Sequence, residues 1–194
     1  MRSLFFQDKE TKKIQKLKKQ LGKALEISIE ISNKEVRIKS RKEDSFSEYI
    51  SSKIIEAIAL GFDLDAALQL KDQNFILRKI NIKDHVKESR VKVVTARIIG
   101  TKGKTKELIE KLSDCDIIIH DHTIAVIGTI NNIEVASRAI LSLMRGSPQS
   151  KVYSFLERSR AKLKELNEEN IEEIIKQEIT EKERNGNKNK NKKK

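Results

Sequence analysis

Aromatic residues make up only 4 % of the 194-residue chain and tryptophan is absent, so ring platforms that give roughly 1–3 kcal/mol per stacked base are scarce. None lies between Phe75 and Tyr153. The one cysteine, Cys115, excludes an intramolecular disulfide and a cysteine-cluster zinc site. It falls between a helical and a strand pattern and is expected as a small buried hydrophobe. No apolar run approaches the ~20 residues of a membrane span, and the N-terminus lacks the apolar core of a signal peptide, so a cytoplasmic protein without a membrane partner is expected. No Ser-His-Asp set, Walker loop or dinucleotide fingerprint occurs. An enzyme is therefore not expected, nor is a cofactor.

What the chain has in excess is positive charge. Lys and Arg number 41 against 29 Asp and Glu, a net charge of +12, which favours a polyanionic partner through phosphate neutralisation and counterion release. Five of these charges are lysines in the last ten residues, leaving +7 elsewhere. Asn185 to Lys194 has no apolar residue and is expected to be disordered.

The segment Arg97-Ile98-Ile99-Gly100-Thr101-Lys102-Gly103-Lys104-Thr105-Lys106 organises the rest. Val91, Val94 and Ile98 recur at near-helical spacing before it, and Leu108, Ile109 and Leu112 after it. Two glycines three apart thus join two helices, and the second helix begins where free N–H groups and the helix dipole attract phosphate. Two short β-prone runs follow, Asp116 to His120 and Thr123 to Ile127, then a helix from about Asn132 to Arg145 that stops at Gly146-Ser147-Pro148. Helix, GxxG, helix, hairpin, helix is the order of a KH module, whose loop clamps about four nucleotides of a single strand.

A similar order precedes it. Thr11 to Leu21 reads as a basic helix closed by Gly22, Leu25 to Ile31 and Glu35 to Lys39 as a hairpin, and about Ser45 to Leu60 as a helix ending at Gly61. Met1 to Phe6 is too short for a strand and a helix. Counting back from the basic helix places Asp8-Lys9-Glu10-Thr11 at the first copy's loop, without glycine and with two carboxylates, which suits packing or protein contacts better than phosphate. Asp63 caps a short connecting helix to about Leu70, and Phe75 to Ile82 is the first strand of the second copy. Beyond Pro148, Val152, Phe155 and Leu156 with Arg158, Arg160 and Lys162 form a basic amphipathic helix expected to continue to about Lys182.

The expected fold is α+β: two tandem type I KH domains, the first degenerate, and a C-terminal helix. The divisions are 1–70, 71–150, 151–184 and the tail 185–194. The RNA-binding candidates are Arg97, Ile98, Ile99, Gly100, Thr101, Lys102, Gly103, Lys104 and Lys106 at the loop, Ile117 and Ile119 on the groove floor, and Arg158 and Arg160 on the last helix. His120-Asp121-His122 lacks the further ligands a metal needs, and His120 and Asp121 are expected to line the loop that borders the RNA groove.

The stretch from Arg97 to Arg160 resembles the archaeal and eukaryotic pre-ribosomal KH proteins of the partner-of-Nob or Dim-two family. The match is carried by Arg97 to Thr105, by Thr123-Ile124-Ala125-Val126-Ile127-Gly128, and by Arg145-Gly146-Ser147-Pro148 leading to Val152-Tyr153-Ser154-Phe155-Leu156-Glu157-Arg158. A weaker match, Ala57 to Phe62 followed by Ala66-Ala67-Leu68, falls at the family's inter-domain linker. The resemblance implies a small-subunit ribosome assembly factor that binds near the 3′ end of the small-subunit rRNA. Its implied partners are the Nob endonuclease, the dimethyladenosine methyltransferase and the alpha subunit of initiation factor two. Against the family pattern, the chain starts almost at the first loop, so either the first domain is truncated or the start codon is set too late. The alternatives to an assembly factor are a KH-fold protein-interaction adaptor and a general mRNA-binding regulator.

Overall fold

The computed structural model describes residues 2–40 and 44–165. The expected course of the last helix from residue 166 to about Lys182, and the tail 185–194, lie outside the described residues. The chain divides into two units, Met1–Leu156 and Glu157–Lys194. In the second, residues 157–165 are helical.

The first unit holds two three-stranded antiparallel sheets. Strand β1 (Arg2–Phe5), helix α1 (Asp8–Ala24), strands β2 (Ile27–Ser32) and β3 (Glu35–Ser40) and helix α2 (Ser45–Leu60) form the first half, with sheet order β1-β3-β2. A short helix α3 (Leu64–Leu68), capped by the Asp63 carboxylate on the Ala66 N–H, leads to the second half. There β4 (Phe75–Asn81), α4 (Val91–Ile99), α5 (Lys104–Ser113), β5 (Asp116–His120), β6 (Thr123–Thr129) and α6 (Ile130–Met144) follow, with sheet order β4-β6-β5. A last helix, α7, begins at residue 149 and is described to 165.

The N-terminal stub holds one element, a strand: Arg2 to Phe5 pair with Ile38 to Glu35, and this long-range pairing, invisible in a six-residue window, defines β1. The expected loop of the first half needs correction. Asp8 to Thr11 are not a loop but the first turn of α1, where Glu10 and the Gln7 side chain form a capping box. The helix also runs through Gly22 to Ala24. One continuous helix therefore stands where the second half has helix, loop and helix. Only the second half carries the full KH complement of three strands and three helices.

The halves share a core. On one face of β6, Ile124 and Val126 pack with Ile98, Ile109, Ile117 and Ile140. On the other, Ala125 and Ile127 join Ile14, Leu21, Ile38 and Ile58 of the first half. Burial on both faces is why β6 reads as an unbroken apolar run and not as an alternating one. Residues of the second half thus pack in the core of the first across the expected division at 70/71.

Candidate nucleic-acid interface

The interface is built around the turn between α4 and α5. Gly100 ends α4 with φ +73° and ψ 175°. A Cβ there would stand 2.1 Å from Thr105 Oγ1 and 2.8 Å from its backbone nitrogen, so only glycine lets the loop close on α5. Gly103 has φ +80°, and nothing lies within 4 Å of where its Cβ would be. Between them Lys102 is also left-handed, with φ +54°, a conformation only a few per cent of non-glycine residues adopt. The Gly103 N–H donates to the Gly100 carbonyl at 3.2 Å and closes the turn.

Helix α5 starts at Lys104, whose own N–H donates to the Thr101 carbonyl, and no side chain caps the positive end of the helix, which favours an anion there. Thr101, Lys102 and Lys104 are exposed around that end. Lys106 is half-buried and pairs with Glu110 at 2.7 Å. Glu110 also accepts the Ile117 N–H at 2.8 Å. The exposed cations of the loop are therefore Lys102 and Lys104, with Lys106 partly neutralised.

Arg97 has a structural task. Its Nη1 donates to the Leu143 carbonyl at 3.3 Å and lies against Gly146, whose φ of +96° turns the chain out of α6. Thr105 is 2 % exposed and holds the loop from the other side. Its Oγ1 accepts from Gln149 Nε2 at 3.0 Å and from the Tyr153 hydroxyl at 3.1 Å, both on α7. The Gly-Ser-Pro turn and the start of α7 thus brace the glycine loop, a role the sequence signalled only by the unusual Val-Tyr-x-Phe-Leu pattern. Val152 and Leu156 anchor the brace in the core.

The groove floor is narrower than expected. Ile98 and Ile117 are 0 % and 1 % exposed, because their faces of α4 and β5 point into the second core, and neither is available to a base. Ile99, at 37 % exposure, with the partly exposed Leu108 and Ile119, remains accessible. Strand β5 is a sheet edge, and its two-residue turn to β6 makes His120 and Thr123 a hydrogen-bonded pair. Alternation then turns the N–H and C=O groups of Ile117 and Ile119 outward, and Glu110 already occupies the Ile117 N–H. The outward edge at Ile119 is the remaining backbone face on that strand.

His120 does not border this groove. Its Nε2 is 3.8 Å from Glu10 Oε1 on α1, so the turn faces the first half. No group of three or more potential metal ligands occurs among the described residues. Cys115 is 6 % exposed, and burial pushes its thiol up to about 12. Burial, with Glu110 and Asp63 nearby, also raises the Asp116 carboxyl above its usual range. Arg158 and Arg160 are exposed on the helical stretch 157–165 of the second unit. Among the described residues no helix is long and apolar enough to cross a membrane.

Residues 76–161 match the model of the KH domain of PNO1, described as a eukaryotic type KH domain, KH-domain type I. The chain is 30 % identical over 149 residues to a KH domain-containing protein of Methanocaldococcus jannaschii, covering 76 % of this chain and 65 % of that one. It is 32 % identical over 148 residues to the pre-rRNA-processing protein pno1 of Emericella nidulans, covering 73 % and 57 %. It therefore spans less than two thirds of these relatives. A chain in the crystal structure of the a/eIF2alpha-aDim2p-rRNA complex from Pyrococcus horikoshii superposes with a TM-score of 0.76 at 31 % identity, over 83 % of this chain and 94 % of that one.

Proposed function

The chain belongs to the PNO1/Dim2 family of KH-domain proteins, and from that premise we propose that it binds single-stranded RNA as an assembly factor of the small ribosomal subunit, near the 3′ end of the small-subunit rRNA. The observation that carries this reading is the glycine loop: an uncapped helix start flanked by Lys102 and Lys104, within the residues that match the KH model. Uncapped N–H groups and two lysines suit two or three successive phosphates. With no aromatic residue between Phe75 and Tyr153, base reading falls to the outward edge of β5 at Ile119 and to contact with Ile99 and Leu108.

The role is binding and not catalysis. A structural neighbour that contains aDim2p, rRNA and a/eIF2alpha supports rRNA and the alpha subunit of initiation factor two as partners. The Nob endonuclease and the dimethyladenosine methyltransferase are further proposed partners, and the cytoplasm the proposed compartment. Crosslinking of the protein to RNA in cells, followed by mapping of the bound sites, tests the reading: sites should cluster at the 3′ end of the small-subunit rRNA. Sites spread over messenger RNAs would overturn it in favour of a general regulator.

A further inference from the structure

The second sheet has a free edge at β4, on the side away from β5. Because Thr123, Ala125 and Ile127 of β6 exchange hydrogen bonds with β5, Ile124, Val126 and Gly128 turn theirs to β4, where they meet Ile80, Arg78 and Ile76. The Ile82 N–H, which donates to the His122 carbonyl at 2.8 Å, keeps the same phase. Phe75, Leu77 and Lys79 therefore turn their N–H and C=O groups away from the sheet. The Asp72 carbonyl takes the Phe75 N–H at 3.1 Å, whereas no backbone group among the described residues pairs with the outward groups of Leu77 and Lys79.

A cavity of about 400 Å³ lies beside this edge, lined by Phe75 and Leu77 of β4 and by Phe46, Tyr49 and Lys53 of α2. Three of the chain's eight aromatic residues thus meet in one place. Phe46 is 57 % and Tyr49 42 % exposed, a large apolar surface to leave in water. The Tyr49 ring carries Arg2 at 5.1 Å and Lys53 at 5.7 Å from its centroid, so cations orient it before any partner arrives. Lys53 and Lys79 both pair with the single carboxylate of Glu56, which leaves one positive charge in excess at that end of the edge. Asp72, just before β4, lines the cavity and is the negative charge there.

We propose that this edge docks an extended segment of a protein partner, which adds as a fourth strand beside β4, seats alternate apolar side chains against Phe46 and Tyr49, and carries a carboxylate at the Lys53–Lys79 end. The outward groups of Leu77 and Lys79 recur every second residue, ~6.7 Å apart, which is the repeat of an extended chain. A helix pairs its own backbone and would leave them unmet. A nucleic-acid strand would bring its phosphates against Glu56 and Asp72. The surface lies at the opposite edge of the sheet from β5, the edge proposed above for base reading, so a peptide and RNA can be held together.

The test uses the full chain and a phage library of random peptides of about 12 residues, selected on the parent and depleted on F46A/Y49A, the enriched peptides then being titrated by fluorescence anisotropy. They should alternate apolar and polar residues, with an acidic residue near one end. Each should lose about tenfold or more in affinity on F46A/Y49A, which removes two aromatic anchors, while a short oligouridine RNA binds that variant as it binds the parent. K79P deletes one outward N–H without cutting the ladder to β6, a position where an edge strand tolerates proline. Against K79A, which loses the same charge, it should bind the peptides about fivefold more weakly. Where the circular dichroism of K79P departs from that of the parent, N-methylation of the peptide takes its place: methyl groups on one alternate set of amides should abolish binding and on the other set leave it. Equal effects of the two sets, equal affinity of folded K79A and K79P, or the lack of any peptide that separates the parent from F46A/Y49A would overturn the proposal. So would displacement of the peptide by oligouridine, which would mark a base-stacking surface. A dimer of the parent in sedimentation equilibrium that F46A/Y49A dissociates would overturn it too, as a contact between copies of the chain.

Discussion

At Gly100 the loop leaves 2.1 Å between a new Cβ and Thr105 Oγ1, whereas at Gly103 no atom stands within 4 Å. Gly100→Ala should therefore destabilise the protein by about 1–3 kcal/mol in denaturant unfolding, because the strain falls on a loop packed against a buried threonine. It should weaken RNA binding as well. Lys102→Ala and Lys104→Ala leave the packing untouched, and each should lower the salt slope of RNA binding by about 0.7. Lys106→Ala should lower it less, since Glu110 already neutralises that charge. The thiol of Cys115, held up at about 12, carries its own pH signature. The folded state keeps the proton that the unfolded state gives up near the ordinary thiol value of 9.0, so stability should fall as pH rises from about 9 towards 12. At pH 8 a thiol reagent should label Cys115 only after unfolding, and rapid labelling of the native protein would contradict its burial.

Among the elements, β6 buries both of its faces, one in each half's core. Ile127 lies in the core of the first half although it belongs to the second sheet, and Ile127→Ala should cost about 2–5 kcal/mol. Both halves should still unfold in one transition, seen as coincident fluorescence and circular dichroism curves; two separated transitions would contradict a shared interior. Helix α7 links stability and binding in a similar way. Deletion of 149–194 removes Val152 and Leu156 from the core and both partners of the Thr105 hydroxyl, so lost affinity after that truncation would mix unfolding with lost charge. Tyr153→Phe isolates the brace: it keeps the ring and deletes one hydrogen bond, worth roughly 0.5–1.5 kcal/mol.

For the molecule as a whole, local periodicity made most elements legible. The helices bounded by Gly61 and Gly146, the hairpin at Asp121 and the α4–α5 turn all carry their punctuation in sequence. Strand β1 was not legible, since four residues become a strand only by pairing with β3. Nor was the continuous helix α1, because a helical pattern does not reveal that the loop preceding it elsewhere has been dispensed with. The site divided along the same line. Glycines and lysines of the loop stood out, whereas the roles of Arg97 and Thr105 and the burial of Ile98 and Ile117 depend on which elements meet in space. The most direct measurement of the central claim is the equilibrium affinity of the full chain for an oligonucleotide from the 3′ end of the small-subunit rRNA, parent against Gly103→Asp. The open space at residue 103, and the tolerance of aspartate for left-handed backbone, should leave the circular dichroism spectrum unchanged while the new carboxylate repels the phosphate. The account predicts loss of specific binding to that oligonucleotide with a native spectrum. Unchanged affinity in a natively folded Gly103→Asp protein would contradict it.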